Sequence, residues 1–251
     1  MIDFLEEKYR LYNQSNFIET DPISIPHLYR KKQDIEIAGF LTATISWGQR
    51  TTILKNAVLL MNLMDNSPYD FILNFNKKDF KRFSNFVHRT FNSTDLHFFF
   101  IALQKIYKKY NSLEDLFLHS YDPAENNLAS SIMDWRNEFF SAQHLPRTEK
   151  HFSDIKSGSA AKRINMFLRW MVRKDEYGVD FGLWKNISPA QLICPLDVHS
   201  GRVARKLKLL TRNQDDWRAA VELTEKLKTF DPSDPVKYDF ALFGLGVFEK
   251  F

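Results

Sequence analysis

The residue with the clearest chemical potential is Asp197, at the head of the segment Pro195-Leu-Asp-Val-His-Ser-Gly-Arg-Val-Ala-Arg-Lys-Leu207. The residues from 198 to 210 have the pattern of a helix, so Asp197 stands directly before a helix N-terminus. A carboxylate there accepts backbone N–H bonds and caps the helix, which is worth ~1 kcal/mol. Beside a phosphate backbone, it could also stabilise an oxocarbenium-like sugar while the base departs. Both interpretations stand.

Positive charge is concentrated around this carboxylate. Between Ala160 and Arg212, eleven Lys and Arg stand against four Asp and Glu, a net charge of +7 in a chain whose total is +4. The helix after Asp197 contributes Arg202, Arg205 and Lys206. Such a concentration is typical of phosphate binding, although a solvated basic surface would have the same composition.

The elements that must position these residues are helices. Only 8 Gly and 9 Pro occur in 251 residues, and helical periodicity recurs throughout, without internal repeats or a convincing β-hairpin signal. Three assignments rest on capping residues: Thr51 or Thr52 before one helix, Asp95 before another that ends near residue 107, and Ser112, with an acid three residues on at Asp115, before a short helix. We therefore predict an all-α fold. The predicted helices cover residues 34–46, 52–64, 95–107, 112–117, 122–139, 157–172, 198–210, 215–229 and 236–247.

The predicted helix from Ser157, around Lys162, has the most regular pattern. Its apolar residues lie at relative positions 0, +3, +4, +7 and +8, from Ile164 to Val172, and form one face. Lys162, Arg169 and Arg173 fall on the opposite side.

Several classes of site are excluded by composition. The single Cys194 rules out an intrachain disulfide, and also a cluster or zinc site that needs several thiolates of this chain. Because Cys194 lies in an apolar run, we expect a small buried side chain there. No metal-ligand spacing, phosphate-binding glycine loop, secretory signal or membrane segment occurs, so we expect a cytoplasmic protein without a metal or an organic cofactor.

Two segments resemble the helix-hairpin-helix DNA glycosylase superfamily. Residues 196–209 are similar to its Val-Asp-Thr-His-Val-x-Arg-Val-x-x-Arg-Leu-Gly-Leu string, in which the aspartate is catalytic. Residues 41–53, Leu-Thr-Ala-Thr-Ile-Ser-Trp-Gly-Gln-Arg-Thr-Thr-Ile, resemble its early Ile-Leu-Ser-Gln-Gln-Thr string. The resemblance implies two helical subdomains with a cleft between them. The first would be a helical barrel over residues 50–155, and the second would combine 1–49 with 156–251.

One departure from the superfamily pattern concerns the hairpin. The usual Leu-Pro-Gly-Val-Gly is missing, and Lys156-Ser-Gly-Ser-Ala-Ala-Lys-Arg163 stands in its place. This atypical hairpin resembles that of the archaeal 8-oxoguanine DNA glycosylase branch. The resemblance makes Lys162, 35 residues before Asp197, the candidate amine nucleophile for base displacement and a Schiff base. An amine nucleophile must be unprotonated, so we expect Lys162 to be partly buried.

The remaining site residues follow from the same resemblance. Asp239 and Phe243, four residues apart on one helix face, match an acid and an aromatic that hold a flipped base. A satisfied polar residue and a core aromatic would explain this pair equally well. Gln49 matches a residue of the base pocket, and Trp47 is a further stacking candidate. The candidate contacts to the DNA backbone are Arg163, His199, Arg202, Arg205 and Lys206.

The resemblance implies a monomeric, nucleoid-associated enzyme of base-excision DNA repair. It would bind double-stranded DNA, flip a damaged base, cleave the N-glycosidic bond and, as an AP lyase, cut the strand. Oxidised guanine, 8-oxoguanine, is the implied substrate. The competing hypothesis is a non-catalytic nucleic-acid-binding protein with the same fold, which the missing hairpin favours.

Overall fold

The computed structural model describes all 251 residues, of which 60% are helical and 2% lie in strands. The prediction of a mainly helical fold is confirmed. None of the helices has both the length and the apolar content that a membrane crossing requires. In chain order the α-helices are α1 (Ile2–Tyr12), α2 (Ser15–Thr20), α3 (Lys32–Ile45), α4 (Arg50–Leu63), α5 (Pro68–Asn74), α6 (Ser93–Lys109), α7 (Leu113–Leu118), α8 (Ala129–Phe139), α9 (Lys162–Val172), α10 (Val198–Lys206), α11 (Trp217–Lys228) and α12 (Tyr238–Val247).

Short 3-10 helices and one small β-hairpin complete the secondary structure. Strands β1 (Val87–His88) and β2 (Phe91–Asn92) pair antiparallel, a feature absent from the sequence prediction. Two residues per strand are too few to produce a recognisable alternation of polar and apolar side chains, which explains the omission. The 3-10 helices span Pro22–Ser24, Pro26–Leu28, Asp79–Phe83, Pro146–His151, Pro189–Gln191 and Pro235–Lys237.

The chain folds into two compact units. The terminal unit comprises residues 1–19, 122–129 and 153–251, and the central unit comprises 20–121 and 130–152. These boundaries differ from the predicted ones, since residues 20–49 belong to the central unit and residues 122–129 belong to the terminal unit. The burial of α3 and the hydrogen bonds made by residues 122–126 account for the difference.

Helix α3 belongs to the central unit because its whole surface is covered there. Every residue from Ile35 to Ile45 is buried, and Glu36 is fully so. The Glu36 carboxylate accepts hydrogen bonds from the Tyr107 hydroxyl at 2.8 Å and from the Leu113 backbone N–H at 2.9 Å. It therefore caps the first turn of α7 from another helix. A buried carboxylate with such partners ties α3 to α6 and α7 and keeps residues 32–45 in this unit.

Residues 122–129 are held by side chains of the terminal unit. The Gln191 amide donates to the backbone carbonyls of Asp122 at 3.0 Å and Glu125 at 2.6 Å. Lys228 donates to the Asn126 carbonyl at 3.0 Å. Because the carbonyls bind these side chains, residues 122–128 form turns, and α8 begins at Ala129 instead of at the predicted residue 122.

Of the three helix caps predicted in the central unit, the one at α7 is confirmed and those at α6 and α4 are other residues. Ser112 caps α7 as predicted, since its hydroxyl accepts the Asp115 N–H at 3.0 Å. For α6 the cap is Asn92, and Asp95 is its reciprocal partner in a capping box, so the predicted cap was three residues late. Helix α4 starts directly after Gln49, and Thr51 and Thr52 lie inside it.

The core of the central unit is rich in aromatic side chains. Phe40 of α3 packs against Trp135 with ring centroids 5.2 Å apart, and Phe99 packs edge-on against Phe139 at 4.8 Å. Offset and edge-to-face pairs of this kind contribute about 0.5–1.5 kcal/mol each beyond the burial of their area. The large phenylalanine content thus supplies the packing that fixes α3, α6 and α8 together.

In the terminal unit, α12 packs against both α1 and α10. Two glycines on α12 permit these close approaches. The Tyr12 ring of α1 lies directly over Gly244, and the His199 Cβ and the Val203 side chain of α10 lie 3.3 Å from where a Cβ on Gly246 would stand. Contact at this distance brings the α10 backbone next to α12 and so sets the position of Asp197, which precedes α10.

We predict that Gly244→Ala destabilises the protein by about 1–3 kcal/mol, because the new methyl group would overlap the Tyr12 ring. Gly246→Ala is the matched control. Its neighbours need to move only slightly, and alanine is the better helix former by about 1 kcal/mol, so the net change should be within about 1 kcal/mol. Urea denaturation of both variants measures the difference, and equal stability would contradict this account of the contact between α1 and α12.

Candidate functional site

The carboxylate of Asp197 divides its two oxygens between two tasks. Asp197 is the N-cap of α10, and its Oδ1 accepts the backbone N–H groups of His199 at 2.9 Å and Ser200 at 3.1 Å. The Ser200 hydroxyl accepts the Asp197 N–H at 2.9 Å, which completes a capping box. The predicted cap is therefore confirmed. Capping uses Oδ1, and Oδ2 faces the Lys162 amine.

Lys162 and Asp197 meet within the terminal unit. The Lys162 Nζ lies 3.7 Å from the Asp197 Oδ2, and each side chain is somewhat over a quarter exposed. This distance gives an ion pair but exceeds hydrogen-bond length, so the two groups are adjacent without being locked together. The expectation that Lys162 is partly buried agrees with its 28% exposure.

The segment that replaces the usual hairpin is fixed to its surroundings. Gly158 (φ +89°) and Ala161 (φ +49°) adopt left-handed conformations that turn the chain into α9 at Lys162. The Asn165 amide donates to the Ala160 carbonyl at 3.1 Å, and the Trp217 N–H of α11 donates to the Gly158 carbonyl at 3.0 Å. These bonds hold the first residue of α9, and hence the base of the Lys162 side chain, in place.

The electrostatic surroundings keep Asp197 ionised. Burial alone would raise the pKa of Asp197, but the Lys162 ammonium and the backbone N–H groups of Ser200 and His199 outweigh it, so the pKa lies below its usual value. At neutral pH the site therefore presents a carboxylate anion at a helix N-terminus, with an amine beside it.

Asp239 is buried close to Lys162 and Asp197. Its carboxylate accepts a hydrogen bond from Arg169, whose Nε also donates to Asp180 at 3.2 Å. Burial raises the pKa of Asp239 to about 6, a rise that Arg169 and Lys162 oppose and the Asp197 charge reinforces. The structure thus places Asp239 within electrostatic range of Lys162 and Asp197, while its carboxylate is engaged by Arg169.

Phe243, predicted to stack on a base, is half-buried in an aromatic cluster of the terminal unit. Its ring lies edge-on to Phe17, with centroids 5.9 Å apart, and to Phe248 at 6.2 Å. Core packing therefore accounts for a large part of its surface. Asp239 and Phe243 remain four residues apart on α12, but the contacts of both are with the protein.

Arg169 and Arg173 are buried, although they lie on the side of the helix opposite its apolar face. Arg169 is 4% exposed and Arg173 is 1% exposed. Arg173 donates to Asp180 at 3.1 Å and, through Nε, to Asp234 at 2.9 Å. Asp239 lies 70 residues from Arg169 and Asp234 lies 61 residues from Arg173, while Asp180 follows the end of the helix, so helical periodicity alone could not reveal these partners. The signal that was available is the spacing of Lys162, Arg169 and Arg173, which places three cations on one helix face.

The candidate phosphate contacts differ in their surroundings. His199, Arg202 and Lys206 are exposed on α10, whereas Arg205 pairs with Asp215 at 2.6 Å. Arg163 is largely covered, and burial lowers its pKa. The positive surface next to Asp197 is thus smaller than the charge count suggests. We define it as the α10 basic face, which consists of His199, Arg202 and Lys206.

Gln49 and Trp47 lie in the central unit. Gln49 is exposed at the N-terminus of α4. Trp47 is half-buried, and one face of its indole is covered by the Arg89 guanidinium, 4.7 Å from the ring centroid. This contact was not predicted, because Arg89 belongs to the hairpin that the sequence analysis missed.

Cys194 is fully buried, as predicted, with its backbone N–H donating to Thr224 at 3.0 Å. Burial, together with the nearby Asp239 and Asp197 carboxylates, raises the pKa of the thiol well above its usual value. A thiol held in this state is a poor nucleophile. The structure contains no group of three or more His, Cys, Asp or Glu arranged to hold a metal ion.

Comparison with known proteins assigns the chain to a family. It belongs to a protein family of unknown function, DUF2400, whose model matches residues 21–248. No curated protein matches the chain. No solved structure matches it either. The family match covers nearly all of the chain, including Lys162 and Asp197, but the family description names no activity.

The buried Asp239 carboxyl should titrate near pH 6, well above the 3.8 of an unstructured aspartate. Between about pH 4 and 6 the folded protein then binds a proton that the unfolded chain does not. The contribution of this group to the unfolding free energy therefore falls as pH rises through that window, by at most about 3 kcal/mol. Carbon-13 NMR of carboxyl-labelled aspartate, assigned with Asp239→Asn, measures the titration.

Asp216 is the internal control for that measurement. Its hydrogen bond from Arg212 lowers its pKa to about 2, so its resonance should not move between pH 4 and 7. If the Asp239 resonance were equally unresponsive across this range, the inference that burial outweighs the charge of Arg169 at this carboxyl would be wrong.

Proposed function

We propose that this chain is a DNA glycosylase with AP-lyase activity, in which Lys162 is the nucleophile and Asp197 stabilises the charge on the sugar. The observation that carries the proposal is the meeting of these two side chains, 3.7 Å apart, although 35 residues separate them in sequence. An amine beside an ionised carboxylate is the pair that displacement of a base from deoxyribose requires.

The proposed reaction begins with loss of the ammonium proton of Lys162 to solvent. The amine bonds to C1′ of the sugar as the C1′–N bond breaks, and the base leaves with that electron pair and takes up a proton. Ring opening gives an imine. Loss of a C2′ proton then expels the 3′ phosphate and cuts the strand. The Asp197 carboxylate stabilises the positive charge that develops on the sugar in the first step.

Binding of the substrate is attributed to the α10 basic face. Its exposed cations lie on the helix whose N-terminus carries Asp197, and the positive end of a helix dipole also favours phosphate. Phosphate contacts along α10 would hold the sugar near Asp197 without reading a sequence. The proposed partner is double-stranded DNA with a damaged base, and the resemblance favours oxidised guanine.

One observation favours the competing function, a nucleic-acid-binding protein without catalysis. The Asp239 carboxylate accepts from Arg169 and the Phe243 ring packs on Phe17, so both residues proposed to hold a base already have protein partners. On this hypothesis the ion pair between Lys162 and Asp197 only fixes α9 to α10, and the α10 basic face binds DNA.

Borohydride trapping separates the two hypotheses. Incubated with a duplex that contains 8-oxoguanine or an abasic site, the wild-type protein should form a covalent adduct on reduction, and Lys162→Ala should form none. Asp197→Asn should slow base release by about 100-fold or more, because asparagine keeps the helix cap but lacks the charge. The unchanged cap should leave its melting temperature close to that of the wild type.

Lys156→Ala is the matched control, since it removes an exposed amine from the segment that leads into α9. It should trap as efficiently as the wild type. Equal trapping by Lys162→Ala would exclude Lys162 as the nucleophile. Salt-sensitive DNA binding without cleavage of any lesion would establish the non-catalytic function instead.

A further inference from the structure

The turn between β1 and β2 places an arginine where the backbone favours glycine. The hairpin has a two-residue loop, Arg89–Thr90, and Arg89 has a φ of +55°. A positive φ at the first position of a two-residue hairpin loop is the conformation for which glycine is preferred. The side chain of Arg89 is thus retained at a cost in backbone free energy, and such strain directs attention to a functional role.

The side chain extends over the loop that precedes α4. Its guanidinium carbon lies 4.7 Å from the centroid of the Trp47 ring, and the Nη1 lies against Gly48, within 2.9 Å of where a Cβ would stand. Gly48 itself has a φ of +104°. A side chain at position 48 would displace the guanidinium, so the glycine and the tryptophan together shape a seat for it.

Hydrogen bonds fix this seat. The His88 ring Nε2 lies 3.1 Å from the Trp47 carbonyl, which joins β1 to the loop. Arg147 donates to the Thr90 carbonyl at 2.8 Å and lies 3.2 Å from the buried Asp95 carboxylate. The tip of the hairpin is therefore tied down on both sides, and Arg89 is oriented before any partner binds.

The charge of Arg89 is not compensated. No carboxylate lies within ion-pair distance of its guanidinium, and the side chain is exposed. Gln49, the residue after Gly48, is also exposed, as is Val87, two residues before Arg89. An oriented, unneutralised guanidinium with its donor edges free matches the geometry of a phosphodiester, which accepts two N–H bonds from one arginine.

We propose that Arg89, seated on Trp47 and Gly48, is a phosphate-binding site of the central unit that contacts the backbone of duplex DNA. It adds a DNA contact to those attributed to the α10 basic face. The choice of DNA as partner rests on the proposed function, and the retention of Arg89 at a strained position does not. Trp47 then supports the arginine with one ring face instead of stacking on a base with it.

The variant Arg89→Gly tests the proposed site, because glycine relieves the backbone strain of the turn while the contact between the guanidinium and phosphate is lost. Its melting temperature should equal or exceed that of the wild type, by up to about 4 °C. Its Kd for a duplex containing a tetrahydrofuran abasic-site analogue, which the lyase step cannot cleave, should rise about three- to tenfold. The slope of log Kd against log salt should fall by about 1.

Three variants serve as matched controls. Asn66→Gly makes the same backbone change at another left-handed residue of the central unit without altering charge, and Lys108→Ala removes an exposed positive charge from α6. Both should bind the duplex like the wild type. Arg89→Lys keeps the charge but lacks the planar fork, so it should retain most of the salt dependence and recover only part of the affinity.

The outcomes distinguish this inference from the proposed function. If Arg89→Gly binds the duplex as tightly as the wild type, with the same salt dependence, the phosphate site is refuted while the trapping result for Lys162 is unaffected. If the wild-type protein does not bind the duplex at all, DNA is the wrong partner and the proposed function fails with it. A loss of affinity in Lys108→Ala equal to that in Arg89→Gly would reduce the effect to general charge and overturn the specific site.

Discussion

The burial of two arginines, Arg169 on α9 and Arg173 directly after its last residue, is the constraint on which the terminal unit depends. A guanidinium leaves water at a cost of several kcal/mol, so Arg169 and Arg173 are stable inside only because carboxylates surround them. Asp180 bridges both, Asp239 of α12 binds the first, and Asp234 binds the second. Removing one member of such a network typically costs about 3–5 kcal/mol, because the remaining charge stays buried. The network therefore fixes the rotation of α9 about its own axis and its position along that axis.

That rotation determines where Lys162 points. Residues 162, 169 and 173 are separated by seven and four positions, so they share one face of α9. Since Arg169 and Arg173 turn this face inward, the amine at the first residue of the helix is carried inward as well, to the N-terminus of α10. The charged face of α9 is thus the side on which the candidate site is built, and the apolar stripe from Ile164 to Val172 packs on the opposite side.

Which features could be predicted from the sequence depends on how far apart the interacting residues lie along the chain. Periodicity and capping are local, so α3, the cap of α7 by Ser112 and the cap of α10 by Asp197 could be predicted from neighbouring residues. The partners of Arg169 could not, because Asp239 lies 70 residues away and nothing local distinguishes a buried arginine from a solvated one. The hairpin at Arg89 was not predicted for a different reason. Its strands of two residues are too short for the alternation of polar and apolar side chains to repeat.

The two carboxylate oxygens of Asp197 have different partners, and this bears on why an aspartate stands at that position. A cap needs one oxygen acceptor, which asparagine or serine supplies as well as aspartate does. The second oxygen and the negative charge are not needed for capping, and burial acts against the charge. Lys162 and the first turn of α10 nevertheless keep the group ionised, with Oδ2 directed at the amine. Capping alone does not require this arrangement. The second oxygen and the charge hold the Lys162 amine at the N-terminus of α10, and in the proposed function the same charge stabilises the sugar.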